Sequence, residues 1–200
     1  MRPSAPACER NRGPILTVLQ QELPGAQKLL EIGSGTGEHA VFCAARMPGI
    51  TWQTSDVVAN HEGILQWLDW ANLDNVLPPL SCDTRVPPDL QRASYSAVFS
   101  ANTSHIMDRD AVRGMFAIAG DVLEANGVFI LYGPFRQGGQ FTAPTDESFN
   151  ADLQTRDSAM GIRDLEWLEE LAAASQMQRK ALYAMPANNW IVVWQKAVAQ

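Results

Sequence analysis

Short apolar runs recur along this chain, and between them apolar residues return at helical spacing. Residues 27–32 (QKLLEI) form such a run, closed by glycines, and read as a buried strand feeding a turn. Across 38–47, Ala40, Val41, Ala44 and Ala45 recur with the helical period until Pro48-Gly49 stops the pattern. Residues 50–55 read as a second strand ending at Asp56. Ile64, Leu65, Trp67, Leu68 and Ala71 then mark an amphipathic helix. Residues 76–82 predict a third strand in spite of Pro78 and Pro79, and 95–101 a fourth. A helix over 111–123, ended near Asn126-Gly127, precedes an almost wholly apolar fifth strand at 128–132. Ahead of all of these, Pro14-Ile15-Leu16 opens a short helix, with proline accepted in its first turn.

The rhythm breaks after Gly133. Residues 134–163 are rich in Gly, Pro, Asp, Ser and Thr, too polar for a core and too long for a simple connection, and predict a lid or substrate-binding loop. Asp164 reads as the N-cap of a helix reaching about Ser175. Residues 179–185 and 189–196, joined by Pro186-Ala187-Asn188, read as a hairpin. Strands alternating with helices imply an α/β fold, a mostly parallel sheet with helices on both faces. With no repeat and no low-complexity tract, residues 1–200 read as one domain, of which 1–13 form an N-terminal arm.

Composition narrows the partners. Hydrophobic residues make up 46% and charged residues 18%, as in ordinary globular proteins. No stretch approaches the roughly 18 apolar residues of a membrane span, and the polar N-terminus does not read as a secretory signal. Cys8, Cys43 and Cys82 are odd in number and far apart, which supports neither a disulfide framework nor a zinc site and suits a reducing cytoplasm. The net charge is −7 and the 15 Lys and Arg residues are scattered, which argues against nucleic acid and for a small-molecule substrate. Nothing in the chain sets an oligomeric state.

The most informative segment is Leu30-Glu31-Ile32-Gly33-Ser34-Gly35-Thr36-Gly37. A strand must reverse into a helix here while a ligand passes close to the backbone, and Gly33, Gly35 and Gly37 allow both. The spacing G-x-G-x-G departs from the G-x-G-x-x-G that seats a dinucleotide pyrophosphate on a helix N-terminus. Asp56, 23 residues past Gly33, is placed to accept hydrogen bonds from ribose hydroxyls, or else to cap a helix. Asp83 ends the third strand, as a ligand contact or as a plain loop aspartate. Glu31, Asp56, Asp83 and Asn102 all fall near carboxyl ends of strands, where such sheets gather their ligands.

With these residues in hand the chain resembles the class I S-adenosylmethionine-dependent methyltransferases. More closely, it is similar to the family of methyltransferase-like protein 26 and its bacterial relatives. The segments that carry this are Glu9-Arg10-Asn11-Arg12, Leu30 through His39, Trp52-Gln53-Thr54-Ser55-Asp56, Asn102-Thr103-Ser104-His105-Ile106, Tyr132-Gly133-Pro134-Phe135 and Gly161-Ile162-Arg163-Asp164. The resemblance implies a Rossmann-like fold with a seven-stranded sheet and a C-terminal antiparallel hairpin, and methylation of a small molecule. It implies S-adenosyl-L-methionine as cofactor, with Gly33 and Gly35 flanking its methionine part, Asp56 on the ribose, Asp83 facing the adenine amino group, and Glu31, Ser34, Gly37 and Asn102 as further cofactor contacts. Thr54 and Thr103-Ser104 depart from the family pattern, the latter beside the expected reaction centre.

Methyl transfer is an in-line displacement in which positioning carries much of the catalysis. Asn102 and His105 should reach the rim beside the sulfonium, His105 as general base or, alternatively, as a cap or pocket wall. Arg12, Tyr132, Phe149 and Arg163 are candidate substrate contacts by position. His39, just past the glycines, reads as structural, and no residues group as metal ligands. An NAD-dependent oxidoreductase and a non-catalytic methyltransferase-like scaffold are the rival readings. The glycine spacing and the lack of a Tyr-x-x-x-Lys pair oppose the first.

Overall fold

The computed structural model describes residues 2–86 and 88–198. In chain order it contains α1 (Pro6–Glu22), β1 (Lys28–Ile32), α2 (Glu38–Ala44), β2 (Thr51–Asp56), α3 (His61–Ala71), β3 (Val76–Ser81), β4 (Tyr95–Ala101), α4 (Arg109–Val122) and β5 (Leu123–Gly133). There follow β6 (Phe135–Arg136), α5 (Pro144–Arg156), β7 (Arg163–Asp164), α6 (Leu165–Ala174), β8 (Met177–Met185) and β9 (Asn189–Lys196).

Seven strands form one sheet in the order β3-β2-β1-β4-β5-β9-β8. β1 pairs in parallel with β2 and β4, β4 pairs in parallel with β5, and β9 lies antiparallel between β5 and β8. Only β9 therefore runs against the rest. The period of two shows in the core. Leu30, Phe129, Leu131 and Trp194 face α4 and α6, where Phe116 stacks edge-on against Phe129 and Trp194. Leu29, Ile130, Tyr132 and Val193 face the opposite layer, under Ile15 and Leu19 of α1 and Ala40 and Cys43 of α2. The chain leaves β1 toward β2 and returns past it to β4, so a crevice opens at the carboxyl ends of β1, β2 and β4.

Four readings are corrected. The first helix begins at Pro6 and carries Pro14 within it; Pro6 takes the first-turn role expected of Pro14. Segment 134–163 is not a plain loop, since it holds α5 and the two-stranded pairing of Phe135 with Arg163 and Arg136 with Asp164. α5 buries only Asp146 and Leu153, so it has no apolar stripe for a pattern search to find. Asn126-Gly127 does not end a helix: α4 stops at Val122 and both residues lie within β5, Asn126 at φ +64. Asp164 occupies the N-cap position of α6 but caps with no side-chain bond; its Oδ2 pairs with Arg136 at 2.7 Å. Pro78 and Pro79 are tolerated because β3 is the outermost strand and its pairing with β2 passes from Leu77 to Leu80 at an irregularity, so neither proline is called on for a ladder bond. Ala187 and Asn188 adopt φ of +57 and +58, which tightens the β8–β9 hairpin.

Candidate functional site

Past Ile32 the chain turns through five residues into α2. Gly33, Gly35 and Gly37 have φ of +75, +59 and +90, values side chains rarely adopt. A Cβ on Gly33 would lie 2.6 Å from Cγ2 of Thr103, so this glycine is required by space as well as by conformation. Gly33 and Ser34 each donate their N–H to the Ser55 carbonyl at 3.0 Å. Gly35 donates to Oδ2 of Asp56 at 2.7 Å, while Oδ1 accepts from Val57 N at 2.7 Å and Asn60 Nδ2 at 2.9 Å. The Asp56 carboxylate thus braces the turn from the end of β2, and it also faces the crevice.

That crevice has a volume of about 730 Å³, within the range of small-ligand sites. Gly33, Ser34, Gly35 and Thr36 line one side, with Asp56 and Asn60 beside them. Asn102, Thr103, Ile106 and Met107, past β4, line the other. Asn102 takes φ +59 and donates its N–H to the Tyr132 carbonyl at 2.9 Å. Pro3, Ala5 and Cys8 close a third side. This arm is fixed at several points. Ala5 N donates to Glu38 Oε2 at 2.6 Å, Trp67 Nε1 donates to the Pro3 carbonyl at 2.6 Å, and the Arg2 guanidinium stacks 4.1 Å from the Trp70 ring.

Not every predicted residue reaches the crevice. Gly37 lies behind the turn against Ile64. Glu31 is fully buried beneath it, where its Oε2 accepts from Trp52 Nε1 at 3.1 Å and burial pushes its carboxyl up to about 7. Asp83 does not line the crevice; its carboxylate is held by Arg85 through bonds of 3.0 and 2.9 Å, which lower its pKa. Arg12 stacks on the Phe42 ring at 4.7 Å. Tyr132 is buried in β5, and burial raises its phenol while contact with Asn11 and the Arg10 charge oppose this.

His105 lies outside the lining residues as well. It is buried, its ring meets Phe149 of α5 edge-on at 5.5 Å, and among the described residues its Nδ1 has no hydrogen-bond partner. Burial, with the Arg163 charge, lowers its pKa to about 4, so the ring is neutral. Arg163 holds three carbonyl oxygens, of Ser104 at 3.0 Å, Ala159 at 2.8 Å and Met107. It pins the segment after β4 to the start of β7, and its donors face the backbone.

Sequence reasoning missed Asn60, whose signal is its place four residues past Asp56, and Pro3, Ala5 and Cys8, which carry no chemical signal at all. His39, read as structural, lines the crevice. Thr54, a departure from the family pattern, donates to the Leu77 carbonyl at 2.8 Å and ties β2 to β3. Among the described residues no group of three His, Cys, Asp or Glu side chains could hold a metal ion, and no helix is long and apolar enough to cross a membrane.

Residues 2–196 match the model of a family described as "Protein of unknown function (DUF938)". Among solved structures, the chain is similar to an O-methyltransferase family protein from Burkholderia thailandensis, at 12% identity and a TM-score of 0.84, covering 97% of this chain and 58% of that one. It is similar to human N-acetylserotonin methyltransferase in complex with SAM, at 12% identity and 0.78, covering 96% and 53%. An O-methyltransferase family 2 protein from Planctomyces limnophilus, in complex with apigenin, matches at 14% identity and 0.78, covering 96% and 60%. The chain thus spans little more than half the length of these three structures. At such identities the likeness gives the fold: a Rossmann-like methyltransferase fold with a mostly parallel seven-stranded sheet and an antiparallel C-terminal strand.

Proposed function

The chain belongs to the DUF938 family, and we propose that it is an S-adenosylmethionine-dependent methyltransferase acting on a small molecule, with residues 1–200 working as one domain. The observation that carries this reading is the glycine turn braced by Asp56 at the mouth of the crevice. The backbone from Gly33 to Gly35 borders the ligand space, its amides spent on Ser55 and Asp56, and Asp56 keeps lone pairs for vicinal ribose hydroxyls. A group with a sulfonium and an amino acid end fits such a cradle better than a pyrophosphate does, because no third glycine opens the approach at the dinucleotide spacing. The bound cofactor supplies the methyl group. The protein's part is to orient it and to exclude water, and Asn102 and the Pro3–Ala5 arm line the space where this happens.

His105 is the acceptor-side residue of this reading. Neutral, with its ring edge-on to Phe149 and an Nδ1 that has no partner among the described residues, it would take the proton of an acceptor hydroxyl or ammonium that reaches it. Phe149 and Tyr132 then border the acceptor, and Asp83 reaches the adenine only by leaving Arg85. The kinship with methyltransferase-like protein 26 rests on the Glu9–Arg12, Asn102–Ile106 and Tyr132–Phe135 segments. Three free cysteines, all buried, support a reducing cytoplasmic setting.

The experiment is a melting curve with S-adenosylhomocysteine and, separately, NAD. At 100 times its dissociation constant the adenosyl ligand should stabilise the fold by about 2.7 kcal/mol, a rise of roughly 5–10 °C for a domain of this size. A protein that answers to NAD and not to S-adenosylhomocysteine is not this enzyme.

A further inference from the structure

The sequence carries two segments that the cofactor reading does not explain together, Glu9-Arg10-Asn11-Arg12 and the His39 that follows the glycine turn. The fold brings them into contact. α1 crosses the start of α2, and His39 Nε2 lies 2.7 Å from Oδ1 of Asn11, which is itself buried. A carboxamide oxygen only accepts, so Nε2 carries the proton and Nδ1 keeps a lone pair. Among the described residues no group pairs with Nδ1, which is not sealed from solvent as Nδ1 of His105 is. His39 lines the crevice beside Ser34, Gly35 and Thr36. Its one free nitrogen therefore opens on the ligand space at the end floored by the glycine turn.

We propose that His39 is a ligand-binding residue, its Nδ1 accepting a hydrogen bond from the α-ammonium of the amino acid end of the cofactor, with Asn11 as the positioning residue that fixes its tautomer. This rests on the cofactor reading above. The alternative partner at that end, the α-carboxylate, would need a donor, which an imidazole held by Asn11 does not offer on this side. Its surroundings keep the ring in the accepting form. Burial lowers the ring to about 4; Glu38, which accepts from Ala5 N, Ser4 Oγ and Thr36 Oγ1, favours its protonation and Arg12 opposes it, both by less than burial. The first helix is thereby more than a cover for the sheet: through Asn11 it sets which proton His39 carries.

The test compares two ligands that differ only in this end, S-adenosylhomocysteine and 5′-methylthioadenosine, titrated by calorimetry into the full chain. His39→Gln keeps an amide that can reach Asn11 but has no acceptor at the δ position, so it should fold. It should bind S-adenosylhomocysteine about 10- to 100-fold more weakly, the range of a hydrogen bond to a charged group, and 5′-methylthioadenosine as before. His39→Asn, with an acceptor at the δ position, should recover part of the loss. In nitrogen-15 histidine spectra the free protein should show His39 as the Nε2–H tautomer, and Asn11→Leu should disturb it. Equal affinity of His39→Gln and the parent for S-adenosylhomocysteine overturns the assignment, and so does an equal loss for both ligands, which would make His39 a wall of the whole pocket. A parent protein that binds neither ligand removes the cofactor reading and this inference with it.

Discussion

Replacing Asp56 with alanine tests the brace and the ligand contact at once. The carboxylate accepts from two backbone amides, Gly35 and Val57, both at 2.7 Å, and from Asn60 at 2.9 Å, at a residue only 8% exposed. Alanine leaves both amides without that partner. Both bonds are only part-buried, so water can reach the freed amides; at about 0.5–1.5 kcal/mol for each hydrogen bond lost, the loss is about 1–3 kcal/mol, and a domain of this size moves roughly 2–4 °C per kcal/mol. The melting temperature should fall by at least about 2 °C. Asp56→Asn keeps one acceptor oxygen and should fall by about half as much. Affinity for S-adenosylhomocysteine, measured by calorimetry at a temperature where each variant is folded, should drop a further 10- to 100-fold in the alanine variant. A variant that melts with the parent would refute the brace. A variant that melts early yet binds as tightly as the parent would confine Asp56 to the turn and deny it the ribose.

Two further outcomes follow from the same geometry. Gly33→Ala puts a Cβ 2.6 Å from Thr103 Cγ2 at φ +75, and should cost about 2–3 kcal/mol, of which the left-handed conformation accounts for roughly 1–2. Thr103→Ser in the same chain should return the remainder, and a double-mutant cycle with no coupling would show that the close approach does not matter. Glu31 gives a dependence on pH: its folded pKa of about 7 lies above the unfolded 4.5, so stability is full below about 4.5, is lost as pH rises toward 7, and is level beyond. Glu31→Gln keeps an acceptor for Trp52 and should be more stable than the parent at pH 8 by on the order of 3 kcal/mol, with no gain at pH 4; parallel urea curves at both pH values would rule this out.

The strands were legible because each buried run is short, apolar and bounded, and the order of strands and helices then permits few topologies. Local spacing carried the glycine turn, and the end of the second strand carried Asp56, although the bond that joins them spans 21 residues of chain. Here sequence posed a choice that the molecule does not make, since Asp56 both braces its turn and faces the crevice. Asp83 has its carboxylate engaged by a neighbour two residues away. Its position at a strand end says nothing of its side chain, which Arg85 holds. The histidines were beyond reach, because which of them opens on the crevice depends on α1 lying across α2 and on Phe149 lying across His105, contacts 28 and 44 residues apart in the chain. α5 was invisible because its polar sequence has no periodic face to read.

The two prolines of β3 have a consequence for behaviour in solution. At this margin of the sheet, Pro78 and Pro79 offer no amide hydrogen at two successive positions, so an incoming strand finds a broken ladder. The opposite margin, β8, is irregular between Arg179 and Ala181 and carries the charges of Arg179 and Lys180 there. Neither native edge is a template for cross-β growth. Aggregation on heating should therefore follow the rate at which the sheet comes apart, with no slow accretion onto intact molecules at lower temperature.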